Sequence, residues 1–289
     1  MAEPISYLDG LIYGLRDVYV AGVGPVAASA AVDLVGSGWA AVFNPSTGRI
    51  EVRFTAPSQI PDGFPSYQKI TRLEVVDHFL RVISTNTDPI SFTQSGAGAG
   101  ASSAAPPVGR IGIVQLSTGT TATGVSAAQT DMAMAELGNG RHRLRWDVAL
   151  QALSDGTETF TTRVGFIDSA AAESTDAVMF RYNHAVNGGK WECVTRSNGV
   201  ETATDSGVVP NPGSAAANYQ VFEIEVNAAA TSAAFYINGN LVGTIATNIP
   251  AGAGRRLGIG AFMLKSAGLT ARTMSLDLVT WIHDPTVAL

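Results

Sequence analysis

The feature that most constrains this chain is a period-two alternation of apolar and polar residues, repeated in short runs through its second half. In RLRWDVAL, Leu144, Trp146, Val148 and Leu150 share one side. In TFTTRVGFID the set is Phe160, Val164 and Phe166, with Thr162 between them; in AVMFRYN it is Val178, Phe180 and Tyr182. YQVFEIEVN supplies Phe222, Ile224 and Val226, and TMSLDLVTWI supplies Met274, Leu276, Leu278 and Ile282. Successive strand side chains point to opposite faces, so each run reads as a half-buried strand. Turn formers such as SDGT, NGG, SNG and NGN separate the runs. Many short strands with one apolar face each, and no convincing helix, predict a two-sheet antiparallel sandwich over residues 125–289.

The stretch FYINGNLVGTIATNIP fits this scheme as a hairpin. Asn238-Gly239 suits a type I′ turn, which needs positive φ at both central residues. Phe235 and Ile237 then lie on one face and Tyr236 on the other. A three-residue loop over NGN is the alternative register.

Upstream the pattern changes. SGAGAGASSAAPPVG, residues 95–109, is almost entirely small residues with two prolines. It lacks side chains for a core, so residues 95–124 are expected to be a flexible linker or extended arm, ordered only where another chain or subunit packs on it. Residues 1–94 are expected to form a smaller β-rich N-terminal unit, which makes the whole chain mainly β. Within that unit GWAAVFNPSTGRIEVRF reads as a hairpin, with Ile50, Val52 and Phe54 alternating against charged neighbours. ITRLEVVDHFLRVIS is read as a strand for its β-branched residues, although Leu73, Val76, Leu80 and Ile83 also fit a helix face. Leu8, Leu11, Ile12, Leu15 and Tyr19 have helical spacing that Gly10 and Gly14 weaken.

Composition excludes several functions. Hydrophobic residues reach 46% and charged residues only 15%, so a core can be buried while Ser, Thr, Asn and Gln supply much of the surface. The net charge of −6 gives no general attraction for nucleic acid or for an anionic membrane. RHRLRW, the densest basic cluster, alternates with apolar residues and reads as a solvated strand face. Cys193 is the one cysteine, so no intrachain disulfide and no cysteine metal cluster can form. Its strand-like surroundings predict a buried, inert thiol. No apolar run approaches a membrane span, and no basic, uninterrupted apolar block opens the chain, so synthesis and use without a secretory route are expected.

Two stretches are candidates for chemistry. In FEIEVN, Glu223, Glu225 and Asn227 point to one side of a strand. Adjacent carboxylates can serve as acid and nucleophile in glycoside hydrolysis. Sandwich glucanases carry a similar strand with a third acidic residue, but here that position is Asn227, so no catalytic residue is assigned. A solvated strand face accounts for the same spacing. In MFRYNHAVNGGKWECV, Arg181, Asn183 and His184 offer hydrogen-bonding groups to sugar hydroxyls and Trp191 an aromatic face; the competing reading makes Trp191 core. Arg181, Asn183, His184, Trp191, Glu223 and Glu225 are therefore the candidate glycan-binding residues. The isolated histidines have no metal-ligand spacing, and SGAGAGAS lacks the ending of a phosphate loop, so no cofactor and no metal are expected. DSAAAESTD carries oxygens that suit Ca²⁺ but matches no EF-hand loop.

The runs WECVTRSNGVETATDSGV, FEIEVNAAATSAAFYINGNLVGTIATNIP and ARTMSLDLVTW together resemble the concanavalin A-like (lectin/glucanase) jelly-roll domain of tailed-bacteriophage virion proteins, over roughly residues 135–285. GIVQLSTGTTATG resembles the linker that leads into such domains. The resemblance implies a virion structural protein, of the tail-fibre, head-fibre or capsid-decoration type, assembled in the host cytoplasm. Its N-terminal part would anchor to other virion proteins of the capsid or tail. It also implies a homo-oligomer, often a trimer in such fibres, and adhesion to a host-surface glycan. A stand-alone glycan-binding module and a glycoside hydrolase acting on host polysaccharide are the alternatives.

Overall fold

The computed structural model describes residues 32–33, 39–44, 49–54, 72–79 and 90–286. The chain divides into two units, Met1–Lys69 and Ile70–Leu289. The first contains a three-stranded antiparallel sheet in the order β1-β2-β3, formed by β1 (Val32–Asp33), β2 (Trp39–Asn44) and β3 (Arg49–Phe54). Trp39 pairs with Phe54 and Asn44 with Arg49, which is the hairpin expected around NPSTG. The helical spacing from Leu8 to Tyr19 lies outside the described residues.

The second unit is a sandwich of two antiparallel sheets with eight strands each. The first sheet contains β4 (Leu73–Asp77), β6 (Ala99–Ala104), β7 (Ile113–Thr118), β10 (Gly140–Leu150), β15 (Gln220–Val226), β16 (Ala233–Ile237), β17 (Asn240–Ile245) and β19 (Thr273–Pro285). Its order is β17-β16-β15-β10-β19-β7-β6, with β4 also paired to β19. The second sheet contains β5 (Ser91–Ser95), β8 (Val125–Gln129), β9 (Ala135–Glu136), β11 (Phe160–Ile167), β12 (Ala177–Asn183), β13 (Trp191–Ser197), β14 (Val200–Asp205) and β18 (Arg256–Lys265). Its order is β14-β13-β12-β11-β18-β8-β5, with β9 also on β18. No helix among the described residues is long and apolar enough to cross a membrane.

The alternating residues meet between the sheets. Leu144, Trp146, Val148, Phe222, Ile224, Phe235 and Ile237 from the first pack on Phe160, Val164, Phe166, Phe180, Tyr182 and Trp191 from the second. Phe180 sits edge-on to Phe222 and Phe235 at centroid separations of 5.0 and 5.3 Å. Each ring fully removed from water contributes roughly 1.5–3 kcal/mol. Cys193 is buried in the same core, and burial, then Asp205 and Glu192, push its thiol up to about 12. It is the inert residue the sequence suggests.

Two expectations are corrected. The segment 95–124 is not a linker or arm: Ser95 ends β5, Ala99–Ala104 form β6, and Ile113–Thr118 form β7 within the same chain. Ladder hydrogen bonds need no side chain, and glycine is required where these segments cross. A Cβ on Gly119 would lie 2.3 Å from the Ala97 carbonyl oxygen and from the Ala99 nitrogen. Gly98 adopts a left-handed φ of 70° at the β5–β6 turn. The boundary at 94 moves accordingly, because β4 and β5 belong to the sandwich.

The second correction concerns β19. Met274 and Leu276 face inward as expected, but the register shifts opposite Asp147 and Val148, which pair with Leu278 and Leu276. The extra residue, Asp277, reverses the alternation. Val279 and Trp281 are therefore buried, and Leu278 and Ile282 turn to the outer face. The NGN loop resolves to two residues: Ile237 pairs with Asn240, and Asn238 and Gly239 have φ of 52° and 77°. Asn238 Oδ1 also accepts the Val221 N–H at 2.8 Å, which ties the turn to β15.

Candidate functional site

The outer face of the first sheet holds a cleft of about 500 Å³. Strand register assembles it. Thr280 on β19 lies opposite Arg145 on β10, Arg145 opposite Glu223 on β15, and Glu223 opposite Tyr236 on β16. The next row places Ile282, Arg143 and Glu225 side by side. Directly opposed side chains on neighbouring strands have Cβ atoms about 5 Å apart, so each row is a continuous strip. The cleft thus combines a half-buried tyrosine ring, two apolar side chains at Leu278 and Ile282, and charged groups of both signs.

Its arginines are held in place. Arg145 Nε donates to Asp147 Oδ1 at 2.9 Å, a bond that raises the guanidinium above its usual range. Arg143 Nη2 donates to Asp284 Oδ2 at 3.0 Å, and Arg141 Nη2 to Glu225 Oε2 at 2.5 Å. Glu223 has no hydrogen bond or ion pair among the described residues, although it stands between Arg145 and Tyr236. It is the cleft carboxylate left free to accept from a ligand. Asn227, two residues beyond Glu225, is not aimed at the cleft chemistry: its Oδ1 accepts the N–H groups of Thr231 and Ser232 at 2.8 and 3.1 Å and shapes a turn.

The other sequence candidates lie elsewhere. Arg181 is on the outer face of the second sheet, where Nε donates to Glu192 Oε2 at 2.9 Å and its two Nη atoms donate to Glu201 at 2.8 Å each. Burial opposes its charge, but Glu201 and Glu192 outweigh that and raise its pKa. Asn183 Oδ1 accepts the Ala185 N–H at 2.9 Å in a turn. The Ser154 hydroxyl and His184 Nδ1 are 2.8 Å apart, and Ser154 Oγ also accepts the Phe160 N–H. Trp191 is 1% exposed, packs 4.6 Å from Phe222 and donates Nε1–H to Gln220 Oε1 at 3.0 Å. It is core and offers no face to a sugar. Of the six candidates, the cleft brings together Glu223 and Glu225.

Sequence reasoning missed Tyr236, Arg143, Arg145 and Thr280. The alternation in RHRLRW marks its arginines as outward, and the hairpin reading puts Tyr236 on the face away from Phe235. What was not legible is that β15 lies between β10 and β16, which makes these residues neighbours. The acidic loop DSAAAESTD spends its carboxylates internally: Asp168 accepts the N–H groups of Thr175 and Asp176, and Asp176 pairs with Arg255 at 2.8 Å. No cluster of three metal-ligating side chains occurs among the described residues.

A family model described as SO2946-like, C-terminal domain, matches residues 109–277. The chain belongs to this SO2946-like family. The match spans β7 to the bulge of β19, and so covers most of the sandwich and the central strands of the cleft. Among solved structures, the fold is similar to that of a protein of unknown function, SO2946, from Shewanella oneidensis MR-1. That likeness has a TM-score of 0.54 at 11% identity, over 75% of this chain and 89% of the other. It is also similar to an endo-1,3-beta-glucanase from Streptomyces sioyaensis, with a TM-score of 0.50 at 11% identity, over 74% of this chain and 96% of the other. The SO2946-like domain is therefore a jelly-roll sandwich of the concanavalin A-like kind. A search of curated protein sequences finds no match.

Proposed function

We propose that the SO2946-like domain is a glycan-binding module and that the cleft on its first sheet holds the sugar. The observation that carries this reading is the strip Thr280–Arg145–Glu223–Tyr236. A half-buried aromatic ring, a carboxylate unpaired among the described residues, a fixed guanidinium and a hydroxyl in one shallow cleft match a ring with an apolar face and a rim of hydroxyls. Tyr236 supplies the platform, Glu223 accepts from sugar hydroxyls, and Arg143, Arg145 and Thr280 donate. Binding is favoured over cleavage because Glu225 is paired with Arg141 and the third acidic position is Asn227, which builds a turn. Glycan-array binding by the full chain, abolished in Glu223→Gln and Tyr236→Ala, is the expected result. Reducing-end release that disappears in Glu223→Gln would replace binding with hydrolysis.

The setting we propose for this module is a bacteriophage virion, with the chain as a homo-oligomeric tail-fibre, head-fibre or decoration subunit beside other capsid or tail proteins. The sequence resemblance over 135–285, the low charge content and the three-stranded sheet within Met1–Lys69 support it. Detection of the chain in purified particles, and its absence from them, are the two outcomes that decide this part.

A further inference from the structure

The outer face of the second sheet carries an arginine cluster that the cleft does not use. Arg163 on β11 stands directly opposite Arg181 on β12, and Arg196 on β13 joins them. Like charges facing each other across a ladder are unfavourable unless anions bridge them. Three glutamates do so here, in different ways. Glu192 and Glu201 are strand residues that accept from Arg181; Glu201 Oε2 also accepts from Arg196 Nη1 at 3.4 Å, and Glu192 Oε1 accepts from Asn187 Nδ2 at 3.0 Å. Glu173 comes instead from the loop between β11 and β12. Its carboxylate spans Arg163 Nη2 and Arg196 Nη1, yet its side chain is 40% exposed.

Glu173 leaves the cluster incompletely satisfied. Arg163 is 5% exposed, and its Nε and Nη1 have no acceptor among the described residues; Arg196 Nε is likewise buried without an acceptor among them. Most buried donors in native proteins are paired, and unmet ones are costly, more so on a charged group. Burial lowers the Arg163 pKa; Glu173 and Glu201 oppose this, while the charges of Arg181 and Arg196 push in the same direction as burial, and the net shift is downward.

We propose that Glu173 is a tethered stand-in and that this cluster is a binding site for a phosphate or sulfate group. A tetrahedral dianion has more acceptor oxygens than a carboxylate. It can take over both bonds made by Glu173 and reach donors that Glu173 leaves unmet, and guanidinium forks suit that geometry. Asp168, which accepts the N–H groups of Thr175 and Asp176, pins the base of the loop, so the glutamate is a short-range internal competitor. Such a tether acts at an effective concentration on the order of millimolar.

The test is isothermal titration of the full-length chain with inorganic phosphate and with inorganic sulfate against sodium chloride at matched ionic strength. Glucose 6-phosphate and glucose 6-sulfate form a second pair of titrants. Glu173→Ala removes the competitor and is expected to bind phosphate or sulfate at least about tenfold more tightly than the unmodified chain. Adding Arg196→Gln, at a partly buried strand position, should abolish that gain while circular dichroism stays unchanged. Tighter binding of the sugar esters than of the free ions would identify an ester as the natural source. No saturable binding of either oxyanion by Glu173→Ala, or equal binding with and without Arg196→Gln, overturns the proposal.

Discussion

His142 sits in the sandwich core and should make the protein acid-labile above the range in which carboxylates titrate. It is 1% exposed, its ring stacks on His283 at 4.2 Å, and Trp281 Nε1 donates to its Nδ1 at 3.3 Å. That last bond requires Nδ1 to be unprotonated. Burial, followed by the charge of His283, lowers the His142 pKa to about 4, against weaker opposing pulls from the Glu136 backbone and Asp284. The sign follows from linkage. The unfolded chain takes up a proton near pH 6.5 while the native state resists until about pH 4, so the unfolded state binds more protons and stability falls as pH falls through that window. The loss is about 2 kcal/mol between pH 7 and pH 5 and levels off near about 3 kcal/mol below pH 4. Burial lowers His283 as well, which adds to the loss in the same direction. Urea unfolding at pH 7, 6 and 5 measures it. His142→Phe should carry a pH-independent cost of about 1 kcal/mol for the Trp281 donor it strands, and should lose much less stability on acidification. Equal losses in the two proteins, or a flat profile for the unmodified chain, would refute the reasoning.

Three further outcomes follow from packing. Gly165→Ala should cost about 1–3 kcal/mol in urea unfolding, because a Cβ there would lie 2.4 Å from the Val178 carbonyl oxygen and 2.5 Å from Met179 Cα. Trp191→Ala should cost about 3–5 kcal/mol, as expected of a core residue. Lys265 is buried against Glu158, which also accepts the N–H groups of Leu269 and Thr270; burial opposes the Glu158 charge, but these partners lower it to about 2. Glu158→Gln should therefore destabilise the chain by leaving the buried ammonium, which also donates to the Thr270 carbonyl, without its counter-charge, and Lys265→Met added to it should recover stability in thermal unfolding.

The sandwich was legible because its central strands bury alternate side chains between two apolar faces, as Leu144, Trp146 and Val148 show. The bulge at Asp277 was not, since one extra residue reverses every later orientation without changing composition. Nor was the built-in character of 95–124, where small residues hide a strand whose energy lies in backbone pairing and in glycine crossings such as Gly119. The cleft was half legible. Glu223 and Glu225 announce an outward acidic strip, but their neighbours are set by strand order, which no local pattern in FEIEVN or RHRLRW contains. Arg181 and Trp191 read in sequence as one binding loop, yet they sit on neighbouring strands of one sheet and point to its opposite faces: one is locked by two glutamates and the other is inside the core.

The most direct test of the cleft is a calorimetric titration of the full chain and of Tyr236→Ala with the best oligosaccharide from the array. Binding by the unmodified chain, weakened about tenfold or more in Tyr236→Ala with the unfolding midpoint unchanged, is the predicted result. Undiminished affinity in Tyr236→Ala would contradict it.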